Sequence, residues 1–165
     1  MLGVADLRRV ARARRHGIVH PLWALLEARR AGVPYSLACA LLMRESGGGR
    51  NVFGHDPTIC VGWGAVTRAK YRLYLSERKR SGNRLMQGVG PLQLTWWSTQ
   101  DAADREGGCW KWRPNVRVGL RSLAALIREH GHWAGIARYN GSGPAATAYA
   151  NAVVAGEAWW RYALG

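Results

Sequence analysis

Acidic residues are scarce in this chain of 165 residues: 10 Asp and Glu stand against 24 Lys and Arg, for a net charge of +14. Lysine is scarcer still, limited to Lys70, Lys79 and Lys111. High Arg, Ala and Gly with low Lys and Phe suit GC-rich coding, which accounts for Arg over Lys but not for the shortage of acids. That remainder favours a polyanionic partner: nucleic acid, an anionic membrane or an anionic cell wall. No run of about 18 apolar residues exists, so no transmembrane segment is expected. Residues 1–15 lack an apolar stretch before they fill with arginines, so no signal peptide is expected and synthesis in a cytoplasm is. Cys39, Cys60 and Cys109 are odd in number, form neither a CxxC nor a Cys/His zinc spacing, and read as reduced thiols. His130-Gly-His132 has no Cys or acidic pair near it, so no metal and no cofactor is expected.

What is present is a globular composition, 48% hydrophobic with nine Trp, at a length suited to one domain over residues 1–165. Residues 1–20 form a basic, helical, peripheral start. Pro21 opens a second helix that Gly32 ends. A third, residues 37–44, is apolar nearly all round and therefore buried. Residues 51–64 read as a loop or small hairpin. Thr67 caps a helix to Arg80, and Ser98 or Thr99 caps a short one to Glu106. Asn115 opens a helix to His130, and two more cover residues 132–138 and 145–164. The class is mainly α.

Two helices end in Arg-Glu, and helical geometry separates them. Glu45 stacks over Leu41, Leu42 and Ala38, inside the apolar sector of its helix. Glu129 lies opposite the stripe Leu120, Leu123, Ala124 and Ile127, and reads as solvated. A carboxyl forced towards a core resists ionisation, so it can hold a proton near neutrality and act as a general acid. The local pattern leaves open that Glu45 is an ordinary helix end. The glycines after it, Gly47-Gly48-Gly49, allow close backbone approach. Two further segments carry polar groups in loops: Gly88-Val89-Gly90-Pro91-Leu92-Gln93-Leu94-Thr95, and Tyr139-Asn140-Gly141-Ser142-Gly143. An amide such as Gln93 both donates and accepts, which suits an N-acetyl group or a sugar hydroxyl. Taken singly, each segment is also an ordinary turn.

In order, Glu45-Ser46-Gly47-Gly48, Gly90-Pro91-Leu92-Gln93 and Tyr139-Asn140-Gly-Ser-Gly resemble the goose-type lysozyme and lytic transglycosylase superfamily, over residues 33–151. The chain looks most like the peptidoglycan-cleaving domains of bacteriophage lysins. It departs from that pattern at Pro91-Leu92 and in the extra helix within residues 65–88. The resemblance implies a lysozyme-like fold with at most a small β-hairpin, and a glycosidase or transglycosylase acting on β-1,4 bonds of peptidoglycan glycan strands. It implies Glu45 as the catalytic acid, with Ser46, Gly90, Gln93, Thr95, Tyr139 and Asn140 at the substrate. Anionic wall polymers would attract a basic enzyme. A phage lysin is made in the host cytoplasm and reaches the wall through a pore or in a virion. A monomer is expected.

Trp63, Trp96, Trp97, Trp110 and Trp112 fall near these motifs. Most are expected in the core and one or two, with Trp63 and Trp96 foremost, in a groove against sugar faces. An inverting hydrolase needs a second carboxylate about 6.5–9.5 Å from the acid. Asp56, oriented by His55, is the candidate, or else Asp56 builds an Asx turn before Pro57. A lytic transglycosylase needs no such base. Asp101 and Asp104 read as solvated. A basic nucleic-acid-binding protein is the rival from another class, but the arginines are dispersed, no recognition motif is seen, and Glu45 would have no use. A non-catalytic wall-binding protein is the second rival.

Overall fold

The computed structural model describes residues 2–54 and 63–165, so His55, Asp56 and Cys60 lie outside the described residues. Among these residues the chain is mainly α, with eight helices and one two-stranded hairpin. The elements are α1 (Val4–Arg15), α2 (Pro21–Ala31), α3 (Tyr35–Ser46), β1 (Val52–Phe53), β2 (Gly64–Ala65), α4 (Arg68–Arg80), α5 (Trp97–Arg105), α6 (Trp112–His130), α7 (His132–Asn140) and α8 (Pro144–Leu164). The strands are antiparallel, with Val52 opposite Ala65. No described helix is long and apolar enough to cross a membrane.

The centre is α3. Every residue from Tyr35 to Leu42 is buried, as its all-round apolar sequence requires. It packs against α8 on one side and α2 on another. Burying Leu37, Leu41 and Leu42 completely contributes roughly 1.5–3 kcal/mol each. The amphipathic α6 buries Val116, Leu120, Leu123 and Ala124 and lies against α2, α5 and α7. Glu129 is exposed. The arginine-rich α1 rests on α2 and α8; Arg12 Nη1 donates to Leu164 O at 2.6 Å, and Asp6 pairs with Arg29. Between α2 and α6, Glu27 is 1% exposed and accepts from Arg113 at 2.5 Å and Arg117 at 2.9 Å. Burial pushes the Glu27 pKa up, but the two guanidiniums outweigh it and hold the carboxyl below its usual range.

Helix ends follow local chemistry where a side chain is free to cap. Thr67 accepts from Lys70 N at 3.2 Å, Pro21 occupies the first turn of α2, and Gly32 ends it at φ 72°. Two expected caps are corrected. α5 starts after Trp96, and the Thr99 hydroxyl donates to Trp96 O at 2.7 Å instead of capping. α6 starts at Trp112, which puts Asn115 inside its first turn, completely buried. Asp101 and Asp104 are not simply solvated. Asp101 pairs with the buried Arg78, and Asp104 accepts from Tyr71 Oη and Cys109 N, each at 2.8 Å.

Asn115 is committed to the segment that precedes α5. Its Oδ1 accepts from Leu92 N at 3.1 Å, and its Nδ2 donates to Val89 O at 2.8 Å. Asn115→Ala removes both bonds and leaves the buried Leu92 N–H unpaired. The expected loss is about 2–4 kcal/mol of unfolding free energy, read by chemical denaturation. A loss below 0.5 kcal/mol, within the range of ordinary surface changes, contradicts this role.

Candidate active site

The last turn of α3 reaches the wall of a cleft of about 1070 Å³, shared with the hairpin, residues 93–96 and the end of α7. Glu45 is the one acidic side chain among the described residues that line it. It is half-buried, makes no ion pair among the described residues, and accepts a hydrogen bond from Tyr149 Oη. Burial pushes the Glu45 pKa up to about 7, although the Tyr149 hydrogen bond and the neighbouring Arg44 both pull it down. At neutral pH this carboxyl is therefore divided between acid and anion, which suits proton donation. Tyr149 is itself buried on α8, with the Arg44 guanidinium 5.8 Å from its ring centroid. Burial and the Glu45 charge raise the Tyr139 and Tyr149 pKa values, so both phenols keep their protons.

The chain turns away after α3 by means of its glycines. Gly47 takes the left-handed conformation at φ 61° and lines the cleft. Gly48, at φ 103°, packs so closely on Gly17 that a Cβ would lie 2.1 Å from the Gly17 carbonyl oxygen. Gly49 abuts Leu42 and Trp112. The close approach expected of this run is therefore largely chain against chain, and only Gly47 faces the cleft.

The second segment is clamped from several sides. Ser46 Oγ donates to Pro91 O at 2.6 Å, and Tyr139 Oη donates to Leu92 O at 3.1 Å. Gly90 N donates to Val52 O at 2.9 Å, and Val89 bridges to both Phe53 and Leu94. Gln93 closes the turn at φ 44°, a left-handed backbone that non-glycine residues adopt at a cost. Its Nε2 donates to Val52 O at 3.0 Å and to Gly90 O at 2.7 Å. Behind it, Gln100 Nε2 donates to Leu94 O at 2.7 Å and to Gln87 O at 2.9 Å.

Of the residues singled out from sequence, Glu45, Ser46, Gln93, Thr95, Tyr139, Asn140, Trp63 and Trp96 all line this cleft. Ser46 is buried and Gln93 amide hydrogens are spent, so these two side chains hold the wall in place. Gly90 is not in the lining. It packs on Asn115, where a Cβ would meet the side-chain amide at 2.5 Å. His55 and Asp56 lie outside the described residues. Trp63 and Trp96 are 62% and 65% exposed, whereas Trp112 donates to Gly49 O at 2.7 Å and packs on the core. Sequence reasoning missed Tyr149, Asn115 and the lining residues Arg50 and Arg138. Tyr149 is the only aromatic in the alanine-rich first half of α8, the one local signal that could have marked it.

No family model, curated protein or solved structure matches the chain. The chemistry of the cleft therefore rests on its own geometry: a proton-carrying carboxyl, two phenols and two exposed indoles around an open groove.

The raised Glu45 pKa has a signed consequence for stability. The folded value lies above the ordinary 4.5, so the fold favours the protonated form. That contribution is complete below about pH 4.5 and is lost as pH rises through about 7. Glu45→Gln should therefore be more stable than wild type at pH 9, by about 1–3 kcal/mol, and nearly equal at pH 4. Tyr149→Phe removes a bond that favours the carboxylate, so it should move the Glu45 midpoint upward in a side-chain NMR titration. A downward movement contradicts the assignment.

Proposed function

We propose that the chain cleaves peptidoglycan glycan strands at the β-1,4 bond from N-acetylmuramic acid to N-acetylglucosamine, with Glu45 as general acid. The observation that carries this reading is the Glu45 carboxyl, with a pKa near 7, on the wall of an open cleft and in contact with Tyr149. The mainly helical architecture, with a small hairpin beside the acid, is compatible with a lysozyme-like fold. The order of the three sequence motifs, each of which contributes at least one lining residue to this cleft, supports membership of the lysozyme and transglycosylase superfamily.

In this mechanism Glu45 gives its proton to the glycosidic oxygen as the bond to C1 breaks. Positive charge develops on the sugar ring while Glu45 becomes a carboxylate, which Tyr149 Oη then stabilises. The faces of Trp63 and Trp96 flank the strand. Water attack at C1 gives a reducing end, with Asp56 as the proposed base. Attack by the substrate's own C6 hydroxyl, which loses its proton, gives a 1,6-anhydro end. Both routes use the same acid. The net charge of +14 draws the protein to anionic wall polymers, and the lysin reading carries with it action on the wall after synthesis in a host cytoplasm.

Proton donation by a positioned acid contributes about 10²–10⁴-fold, so folded Glu45→Gln should lose at least that much wall-cleaving rate. Glu129→Gln, on an exposed helix end, should stay within about twofold of wild type. Mass spectrometry of the digest distinguishes reducing from anhydro ends. Near-wild-type turnover in Glu45→Gln overturns the proposal, and so does a wild-type digest that holds neither reducing nor anhydro glycan ends. Wall binding should also weaken steeply between 50 and 500 mM salt, on the order of the range over which Debye screening contracts. Cleavage of short neutral chitooligosaccharides should change little. Salt-independent wall binding contradicts the electrostatic part.

A further inference from the structure

A second concavity, of about 620 Å³, lies between α1 and the start of α2 and shares no lining residue with the Glu45 cleft. Its walls are apolar: Leu7, Val10 and Ala11 from α1 face Val19, Leu22 and Trp23. Several of these side chains are exposed, Leu7 at 56%, Val19 at 48% and Trp23 at 40%. Val4, one turn before Leu7, extends the stripe at 68% exposure.

Cations frame this apolar surface. Arg14 lines it. Val4, Arg8, Ala11 and Arg15 share one side of α1 by their spacing of four, three and four. Arg8, Arg14 and Arg15 are exposed and form no ion pair among the described residues. The single acid of α1, Asp6, is turned inward and taken by Arg29 and Gly3 N. On the far wall the Arg113 guanidinium sits 4.1 Å above the Trp23 ring centroid. A solvated helix face does not need this aliphatic content, and a stacked nucleic-acid duplex buries most of its apolar base surface and offers less of it to Leu7, Val19 and Leu22 than a bilayer does. A bilayer with acidic headgroups satisfies both halves at once, because acyl boundary accepts the aliphatic groups and phosphates accept the guanidiniums.

We propose that the α1–α2 face docks onto anionic phospholipid bilayers. Leu7, Val19 and Leu22 enter the boundary between headgroups and acyl chains, and Arg8, Arg14 and Arg15 meet the phosphates. This docking does not depend on the chemistry assigned to Glu45.

The test is co-sedimentation of the full chain with vesicles of phosphatidylcholine alone or of equal parts phosphatidylcholine and phosphatidylglycerol, at physiological salt. Wild type should bind the anionic vesicles and not the neutral ones. A basic residue at an anionic surface is worth about fivefold in binding, so R8Q/R14Q/R15Q should weaken it by about a hundredfold. R72Q/R84Q/R128Q removes the same net charge from exposed positions elsewhere and should weaken it by less than about tenfold. Leu7→Asn with Leu22→Asn leaves the charge unchanged and should also weaken binding at least tenfold, by roughly the loss of two buried aliphatic groups. Four outcomes each overturn the proposal: no binding to anionic vesicles, equal binding to neutral ones, equal losses in the two arginine triples, or no effect of the leucine pair. Duplex DNA bound more tightly than anionic vesicles, and lost in R8Q/R14Q/R15Q, overturns it in favour of a nucleic-acid surface.

Discussion

Residues 87–95 form backbone bonds among themselves and to Val52 and Gly54, and side chains from five helices satisfy much of the remainder. Ser46 of α3 holds Pro91, Asn115 of α6 holds Val89 and Leu92, and Tyr139 of α7 holds Leu92. Gln100 of α5 bonds Gln87, Leu94 and Thr95, while Tyr74 of α4 accepts from Gln87 N and donates to Gln100. A buried carbonyl or N–H without a partner costs about 1–3 kcal/mol, so the helices and this segment stabilise one arrangement together or not at all. Leu92, completely buried, locks the same segment from its apolar side.

The cleft inherits its shape from that clamp. Ser46 precedes the first glycine after α3 and follows Glu45, so the bond to Pro91 fixes where the acid ends its helix. Tyr139 precedes Asn140, so the bond to Leu92 fixes the opposite wall. Glu45 is left partly buried without an ion pair among the described residues, with one phenol as its donor. Ser46 and Gln93 beside it are consumed by structure, and burial of the carboxyl itself raises its pKa to about 7.

The few acids of the chain are mostly spent in the same way. Glu27 is ringed by Arg30, Arg113 and Arg117, and Glu106 pairs with Arg117 and Arg121. Glu157, 2% exposed, takes His132 at 2.7 Å and Arg161 at 3.1 Å. These pairs join α2 to α6 and α7 to α8. With so many carboxylates facing inward or paired, the outer surface is more cationic than the net charge alone conveys, and α1 presents it together with apolar side chains.

The helical class, the buried nature of α3 and the contrast between Glu45 and Glu129 were all legible in the sequence, because hydrophobic periodicity and the size of side chains act locally. Thr67 and Gly32 marked their helix ends for the same reason. Asn115 misled because a side chain that suits a cap locally found better partners 23 and 26 residues away. Asp101 and Asp104 looked solvated because nothing near them in sequence announces Arg78 or Tyr71. Tyr149 stands 104 residues from Glu45, and only the packing of α8 on α3 brings its hydroxyl to the carboxylate. Local chemistry therefore selected the elements and set Glu45 apart from Glu129. Long-range hydrogen bonds, which depend on where each helix docks, decided which groups stay free in the cleft and which are consumed in holding it open.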